Sequence, residues 1–388
     1  MSGLRIGILT YHFSDNFGAL MQAYGLKTWL GGLGHHVEFI NYHPSHVEDG
    51  GDFCRLLDLG QAKANAKIAY LKLSALQRRM FGNRAQAAAF EAFRQDELNV
   101  AGPRLETRDK VEAYLAKLLP PYDLIVVGSD QIWAASTQRG LDPVYYADFA
   151  VPAQTRRVSY APSFGRATVD AVHHDATRKL LAGLDGISVR ERSGVQIVKA
   201  LTGQDVACVP DPTLLLGDFS SAIQTAEATP SGHVFCYALR SGAGIRDIAQ
   251  LVAGKLKTEL LSPYNVHRRW LEIGRTVYPS PKGWVAMLDR AAFVVTNSFH
   301  GTVFSILQRR PFLVVGLPGT RTSLNERALN LLDEVGLRHR FIANGDMATA
   351  QARLAEPIDW EAVVPRLAVL QKSGRDYLSS ELARSGQR

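Results

Sequence analysis

Residues 296–302, Thr-Asn-Ser-Phe-His-Gly-Thr, contain the side chain of this sequence best suited to proton transfer. The segment joins a predicted strand to a predicted helix. Asn297 or Ser298 can cap that helix, which would place His300 in its first turn. There an imidazole can exchange protons near neutral pH, close to helix N–H groups that attract anions. The alternative interpretation is a structural histidine without a catalytic role.

Residues 188–192, Ser-Val-Arg-Glu-Arg, place an arginine at the end of a predicted buried strand. A buried guanidinium needs an anionic partner, because an unpaired buried charge is costly. Glu191 could be that partner within the protein. A carboxylate or phosphate of a substrate would suit the planar fork of Arg190 equally well. The residues alone leave both interpretations open.

Two further segments follow predicted strands. In residues 12–18, a helix that starts at Asn16 would attract an anion, and Gly18 would permit close approach. Residues 128–133, Gly-Ser-Asp-Gln-Ile-Trp, hold hydroxyl, carboxylate and indole groups in one short stretch. The alternatives are a capped turn without a ligand, and Asp130 as a helix cap with Trp133 in the core. A G-x-G-x-x-G motif is absent, which disfavours a dinucleotide site.

These segments lie among elements that alternate between strand and helix. Apolar runs predict strands at residues 4–11, 36–42, 122–127, 157–161, 186–190, 206–210, 233–239, 292–296 and 312–317. Periodic apolar stripes predict helices between them and at residues 324–335, 349–354 and 360–383. Strands joined by helical crossovers pair in parallel, and ligands bind beyond the carboxyl ends of parallel strands. We therefore predict an α/β protein with two Rossmann-like domains and a cleft between them.

The predicted domains are residues 1–216 and 233–388, with a linker rich in Ser, Thr, Ala and Gly at 217–232. The first domain carries a predicted helical insertion at residues 43–121. Residues 61–90 of this insertion include basic side chains interleaved with leucines and no acidic residue: Lys63, Lys67, Lys72, Arg78, Arg79 and Arg84. The simpler interpretation is an insertion exposed to water. The other is peripheral contact with an anionic membrane at its inner face.

The composition excludes several classes of protein. With 388 residues, 46% hydrophobic and 21% charged, the chain is an ordinary globular protein of two or three domains. No apolar run is long enough to span a bilayer and no secretory signal is legible, so we expect a cytoplasmic protein. The net charge of +7 suits an anionic substrate, and no nucleic-acid-binding motif is present. Cys54, Cys208 and Cys236 are far apart, so neither a disulfide framework nor a metal site is predicted.

Five segments, taken in order, resemble the polysaccharide pyruvyl transferase family from Leu4 to about Leu317. They are the first strand with residues 16–23, residues 123–133, residues 188–191, Asp211-Pro212-Thr213, and residues 296–301. Each segment is unspecific alone, but their order and spacing together are specific. The insertion at 43–121 and the terminal helices lie outside the resemblance.

The resemblance implies a fold like that of the GT-B glycosyltransferases, with the active site in the interdomain cleft. It implies phosphoenolpyruvate as donor and a sugar diol, in a glycan or a lipid-linked precursor, as acceptor. The product would be a pyruvate ketal, with phosphate released and no metal or organic cofactor required. His300 and Arg190 match the family's donor-site residues, and Ser298 and Phe299 match the positions before the histidine.

Other candidates follow from their place at the same strand ends. The donor-binding candidates are Asn16, Gly18, Asn297, Ser298, Phe299, Gly301 and Thr302. The acceptor or cleft candidates are Asp15, Ser129, Asp130, Gln131, Trp133 and Ser163. Asp130 and Asp15 are both candidates for the base that deprotonates the acceptor.

Three alternative functions stay open at this stage. They are a nucleotide-sugar glycosyltransferase on the same fold, a non-catalytic glycan-binding protein, and a family member with another small-molecule acceptor. Fold alone does not decide among them, because one fold hosts many functions.

Overall fold

The computed structural model describes residues 3–48, 53, 65–66, 68–73, 76, 82–138, 140–264, 272–319 and 324–387. The chain forms two compact units. The first comprises Met1–Asp15, Gln22–Asp211 and Asp376–Arg388, and the second comprises Asn16–Met21 and Pro212–Arg375.

The first unit is built on a four-stranded parallel sheet in the order β2-β1-β3-β4. The strands are β1 (Arg5–Leu9), β2 (His36–Phe39), β3 (Leu124–Val127) and β4 (Arg156–Ser159). Ile6 of β1 lies opposite Val37 on one side and Leu124 on the other. A two-stranded parallel sheet of β5 (Ser188–Val189) and β6 (Ala207–Cys208) belongs to the same unit.

Helices connect these strands, as parallel pairing requires. They are α1 (Phe17–Gly32), α2 (Ser45–Glu48), α3 (Arg84–Asp96), α4 (Arg108–Leu115), α5 (Ala135–Gln138), α6 (His174–Leu181) and α7 (Arg192–Thr202). The first residues of α1 are grouped with the second unit and the remainder with the first.

Within the range 43–121, predicted as a helical insertion, most of the described residues between 65 and 96 are helical. Residues 65–66, 68–73 and 76 are helical, and α3 and α4 follow them. Of the basic residues, Lys63, Lys67, Arg78 and Arg79 lie outside the described residues. Membrane contact through residues 61–90 therefore stays a prediction.

The second unit contains a six-stranded parallel sheet in the order β12-β11-β10-β7-β8-β9. The strands are β7 (Val234–Tyr237), β8 (Leu260–Pro263), β9 (Arg275–Val277), β10 (Phe293–Thr296), β11 (Phe312–Val315) and β12 (Phe341–Ile342). The strands β7, β10 and β11 are buried along their whole length. That burial explains why they appear in the sequence as continuous apolar runs rather than as alternating ones.

The helices of the second unit cover this sheet. They are α8 (Pro212–Leu216), α9 (Ser220–Gln224), α10 (Ala243–Leu256), α11 (Pro281–Asp289), α12 (Phe299–Leu307), α13 (Glu326–Glu334), α14 (Met347–Leu354) and α15 (Trp360–Ser385). Ile245, Ile248 and Val252 of α10 form a core cluster with Val234 and Val295 of the sheet. For the helices predicted at residues 324–335, 349–354 and 360–383, the observed ends lie within one helical turn of the predicted ends. The sequence analysis did not predict α10, β8, β9 or β12.

The segment predicted as a linker is instead packed within the second unit. Phe219 lies edge-on to Phe304 at 4.8 Å, and Glu227 accepts hydrogen bonds from the backbone and hydroxyl of Ser280. In this part of the chain the boundary between the units falls between Asp211 and Pro212. Here a segment rich in small residues is packed within the second unit and is not an unpacked linker.

The end of the chain, predicted as part of the second domain, is grouped with the first unit from Asp376 onward. Glu381 forms an ion pair with Arg156, the first residue of β4, and both side chains are buried. Tyr377 lies 6.4 Å from Tyr160 of the same unit, ring centroid to ring centroid. These buried contacts attach the last turns of α15 to the first unit.

Two further findings concern the cysteines and the helices of the described residues. Neither Cys208 nor Cys236 forms a disulfide, and Cys54 lies outside the described residues. Within the part of the chain that the structure describes, no helix combines the length and the apolar character that crossing a bilayer would require.

Candidate functional site

His300 lies in the first turn of α12, directly after β10, as the sequence predicted. Ser298 is the N-cap: its backbone is extended and its hydroxyl accepts a hydrogen bond from the N–H of Gly301 at 3.3 Å. Of the two caps that the sequence allowed, Ser298 is therefore the one used. The His300 residue is 7% exposed, so its imidazole is enclosed by protein with only a small accessible edge.

Gly18, near the start of α1, lies against the imidazole of His300. A Cβ atom at residue 18 would overlap Nδ1 and Cγ of that ring, so only glycine fits there. Asn16 caps the same helix, with its Oδ1 accepting from the N–H of Ala19 at 3.2 Å. The starts of α1 and α12, which both belong to the second unit, thus meet at His300.

Aromatic packing holds the start of α1 in this place. Phe17 stacks on Trp284 of α11, with ring centroids 5.4 Å apart and planes 7° from parallel. Trp284 in turn lies edge-on to Tyr237 at the end of β7. The buried rings fix the first turn of α1 against the strand ends of the second unit.

The other donor-binding candidates around His300 serve mainly to shape the loop. Asn297 accepts from the N–H of Leu239 at 2.9 Å and donates to the carbonyl of Arg240 at 2.7 Å. Thr302 donates to the carbonyl of Ser298. A Cβ at Gly301 would overlap the hydroxyl of Thr296. The side chains of Asn297 and Thr302 are therefore engaged within the protein. A ligand at this loop would interact with the N–H groups at the start of α12.

Phe299 lies edge-on to His300, with ring centroids 5.2 Å apart. The guanidinium of Arg327, from α13, lies 6.0 Å from the centroid of the Phe299 ring. Sequence reasoning missed Arg327, because nothing in its surroundings marks it. A cation thus lies near the ring of Phe299 in this part of the second unit.

Arg190 lies in the first unit, in a buried cluster that is rich in carboxylates. Its Nε donates to Glu191 at 2.9 Å, its Nη1 donates to Asp211 at 2.8 Å, and its Nη2 lies 4.0 Å from Asp130. The Arg190 side chain is 2% exposed and that of Asp211 is 0% exposed. Burial alone would lower the pKa of Arg190, but Glu191, Asp211 and Asp130 raise it above its ordinary value.

These contacts show which side chains within the protein pair with Arg190. Glu191 is the internal partner considered in the sequence analysis, and Asp211 is a second one that sequence reasoning did not connect with Arg190. Three carboxylates lie near this one guanidinium within the protein. The donor-site role that the resemblance implied stays a prediction.

Ser129 joins this cluster to the ends of β1 and β3. Its hydroxyl lies 2.7 Å from the carbonyl of Ala161 and 3.2 Å from a carboxylate oxygen of Asp211. Its N–H donates to Gln22, whose amide donates to the hydroxyl of Thr10. Gln22 is another residue that sequence reasoning missed. Ser129 is completely buried, so it acts as a structural connection in this network.

Asp130 is the most accessible carboxylate of the cluster, with 16% of its side chain exposed. It has φ = 69°, the left-handed region that non-glycine residues rarely adopt and that is enriched at functional sites. Its Oδ1 accepts from the N–H of Gln131 at 2.8 Å, and its carbonyl accepts from the N–H of Ser163. Asp130 therefore shapes a loop, and it is not the helix cap considered in the sequence analysis.

The remaining acceptor candidates are placed as follows. Trp133 is buried, stacks on Tyr146 at 4.9 Å and donates its indole N–H to the carbonyl of Tyr145, so it is part of the core. Asp15 forms an ion pair with Arg94 of the insertion. Ser163 is buried and accepts from the N–H of Gly165. Among the described residues, no three His, Cys, Asp or Glu side chains are arranged to hold a metal ion.

Comparison with known proteins gives a family and a fold. The model of the family described as polysaccharide pyruvyl transferase matches residues 16–317. No curated protein matches the chain. Among solved structures, the chain is similar to a UDP-N-acetylglucosamine 2-epimerase from Rickettsia bellii, with 11% identity, 100% of this chain and 98% of that chain covered, and a TM-score of 0.54. It is also similar to the glycosyltransferase SnogD from Streptomyces nogalater, with 12% identity, 98% of each chain covered and a TM-score of 0.43.

At these identities, likeness to solved structures concerns the fold alone. The likeness to the epimerase and the two parallel-sheet units agree with the predicted α/β class of two Rossmann-like domains. The family match covers the strand-end segments from which the resemblance was inferred.

Proposed function

Because the chain belongs to the polysaccharide pyruvyl transferase family, we propose that it moves the pyruvyl group of phosphoenolpyruvate onto two hydroxyls of a sugar. Family membership makes the chain a transferase of polysaccharide biosynthesis with a sugar or polysaccharide acceptor. The identity of the donor and the formation of a ketal are our proposal.

The observation that carries the proposal is the meeting of two helix starts at His300. The first turns of α1 and α12 lie together at the imidazole, and the N–H groups and positive dipole end of a helix start attract anions. Phosphoenolpyruvate carries a phosphate and a carboxylate, and both groups favour such a position. The same place holds a group that can donate a proton. Anion binding and acid catalysis are therefore available side by side in the second unit.

The chemistry of ketal formation requires this pairing. An acid must protonate the methylene carbon of the donor, after which the central carbon gains cationic character and one acceptor hydroxyl attacks it. Loss of phosphate then allows the second hydroxyl to attack the same carbon and close the ring. One hydroxyl hydrogen balances the proton used at the methyl group, and the other leaves with phosphate. His300 is our candidate for the acid.

Arg190 has a different role in this proposal from the one that the resemblance implied. Its guanidinium holds Asp211 and Glu191 and lies near Asp130, so it acts as a positioning residue. Asp130, the accessible carboxylate of that cluster, is our candidate for the base that receives a proton from the acceptor. Asp15 is the weaker candidate, because its carboxylate is paired with Arg94.

The experiment that tests the proposal is incubation of the protein with phosphoenolpyruvate and a panel of glycosides. Phosphate release is followed continuously, and the products are examined by mass spectrometry and NMR for a pyruvate ketal. Acceptor-dependent phosphate release together with a ketal product would support the proposal. Transfer from a nucleotide sugar with none from phosphoenolpyruvate would instead support a glycosyltransferase.

A further inference from the structure

The helical residues 65–66, 68–73 and 76 of the first unit bury one side of their helix and expose the other. Ile68 is completely buried, so the helix packs on the protein by the side that carries this residue. Among the residues of this helix that the structure describes, the exposed ones are alanine, leucine or tyrosine without exception; they form what we call the apolar face: Ala66, Ala69, Tyr70, Leu73 and Leu76. An ordinary surface helix shows the reverse pattern, with charged and polar side chains toward water.

The apolar face is one continuous surface. Its members recur at spacings of three and four residues, which places them on one side of an α-helix. Tyr70, Leu73 and Leu76 are 58%, 65% and 50% exposed. Phe53, which is 47% exposed, lies beside the helix, because its ring centroid is 5.9 Å from the ammonium of Lys72. Single exposed leucines are common on protein surfaces, whereas several adjacent ones mark an interaction surface.

The charged residues of this part of the sequence are of one sign. Residues 61–90 contain six basic residues and no acidic one. Of these, Lys72 lies on the same helix as the apolar face, and Arg84 is exposed at the start of α3. The stretch thus combines exposed apolar groups with positive charge. These are the two properties by which interfacial helices bind anionic lipids.

An anionic lipid surface fits both properties better than a second copy of this chain does. In a symmetric dimer the same surface patch meets itself, so the two basic stretches would lie against each other and repel. A lipid surface can take up the leucines among its acyl chains and Tyr70 at the level of its headgroups. Its phosphates attract the basic side chains. The insertion exposed to water, considered in the sequence analysis, would instead present polar side chains on its outer side.

We propose that the apolar face, with the basic residues around it, attaches the protein peripherally to an anionic lipid surface. The attachment does not depend on the proposed reaction, because it requires neither a donor nor an acceptor. Acyl chains are the partners of the leucines, and lipid phosphates are the partners of the basic residues. Binding should therefore weaken as salt is added, since ions screen the attraction between exposed charges.

The test is co-sedimentation of the full chain with vesicles in the absence of any substrate. The probes are vesicles of phosphatidylcholine alone and of an equimolar mixture of phosphatidylcholine and phosphatidylglycerol. Partition onto the anionic vesicles should exceed that onto the neutral ones about tenfold or more, because each basic residue near an anionic surface strengthens binding. About 1 M salt, which shortens the screening length to about 3 Å, should remove the difference. Absence of binding to the anionic vesicles, or equal binding to both kinds at low salt, would overturn the proposal.

The double variant Leu73→Gln, Leu76→Gln tests the apolar face directly. Both side chains are exposed, so the variant should fold with an unchanged thermal midpoint. Its partition onto anionic vesicles should fall about tenfold or more, because two apolar side chains are lost from the contact. The matched control is Leu33→Gln, Leu256→Gln, at leucines that are 52% and 43% exposed outside this helix. The control should bind like the wild type, and an equal loss in both variants would contradict the proposal.

Lys72→Gln measures the contribution of charge. Removal of one basic residue near an anionic surface should lower the partition about fivefold. Lys179→Gln removes the same charge from an exposed position on α6 and should have little effect. Equal effects of the two substitutions would show that the total charge of the protein determines binding, and the proposal would be wrong.

Sedimentation velocity of the wild type and of Leu73→Gln, Leu76→Gln tests the alternative occupant. The proposal expects the same oligomeric state for both proteins. A wild-type dimer that this variant converts to a monomer, together with no binding of the wild type to anionic vesicles, would identify the apolar face as a subunit contact and refute the attachment to lipid.

Discussion

The cluster around Arg190 in the first unit and the site around His300 in the second arise from the same local pattern. In each, a buried strand of a parallel sheet ends in polar residues and a helix follows. The Arg190 guanidinium is engaged by carboxylates from three separate loops. His300 instead lies where two helix starts meet, beside a glycine. A strand end thus identifies where a polar side chain lies, and its neighbours from elsewhere in the chain decide what it can do.

The difference also concerns charge. The Arg190 cluster contains more carboxylates than cations, which favours protons and hydroxyl groups over anions. The His300 site lies at two helix starts, and a helix start favours anions. The two regions therefore differ in the charge that they present.

Replacing the imidazole is expected to have the largest effect. If the proposed function holds, His300→Ala should lower kcat by about 10²–10⁴, because the proposed acid is lost. The thermal midpoint should change little, since the helix cap Ser298 and the packing of α12 remain. Single-turnover assays with phosphoenolpyruvate and a competent acceptor provide the measurement. Turnover near that of the wild type in a folded variant would remove His300 from the mechanism.

The polar network of the first unit should make stability depend on pH through His12. This buried imidazole contacts the carbonyl of Thr10 at 3.0 Å and Asn41 at 3.1 Å, and Thr10 bonds to Ser129. Burial lowers the pKa of His12 to about 4. Since this lies below the unfolded value of about 6.5, the unfolded state binds more protons between these pH values. The stabilisation is complete above pH 6.5 and is lost as the pH falls toward 4.

Across that window the loss attributable to His12 should be about 3 kcal/mol of unfolding free energy. Urea unfolding of the wild type and of His12→Gln at several pH values between 7.5 and 4.5 measures it. The variant should lose less stability on acidification than the wild type. Parallel curves for the two proteins would show that His12 is not the group responsible.

Gly18 tests whether the His300 site depends on its exact shape. Gly18→Ala places a methyl group where the imidazole lies, so the ring must move. A displacement of about 1 Å can cost roughly 10²-fold in rate, and we expect a loss of that order in kcat/KM. Gly31→Ala is the matched control on the same helix, where a Cβ would meet no atom within 4 Å. This control should keep full activity and gain slightly in stability. Equal activity of both variants would show that the contact is unimportant.

Arg190→Lys tests the first unit and should have the smallest effect on catalysis. An ammonium cannot form both hydrogen bonds of the guanidinium, so we expect a loss of about 1–3 kcal/mol in unfolding free energy. The KM for phosphoenolpyruvate should stay close to that of the wild type. Arg338→Lys, in an exposed ion pair with Asp333, is the control and should be nearly neutral. Weakened donor binding at unchanged stability would restore the donor-site role that the family resemblance implied.

Local features of the sequence were sufficient for much of the fold. The buried strands β1, β3, β7, β10 and β11 are continuous apolar runs, and the helices between them have periodic apolar stripes. The cap of α12 was predicted because Ser298 acts on its own backbone neighbours. The strands β8, β9 and β12 were missed because they are short or lie toward the sheet edges, where pairing with neighbours rather than apolar content defines a strand.

The sequence by itself determined the alternation of strands and helices, the strand ends that carry polar residues, and the position of His300 in a first helical turn. Each of these depends on interactions within a few residues. Tertiary structure alone decided that Asp211 and Asp130 surround Arg190, and that Gly18 lies against His300. These contacts join residues far apart in the chain. They depend on how whole elements pack, because no local pattern encodes which distant side chain a folded strand end will meet.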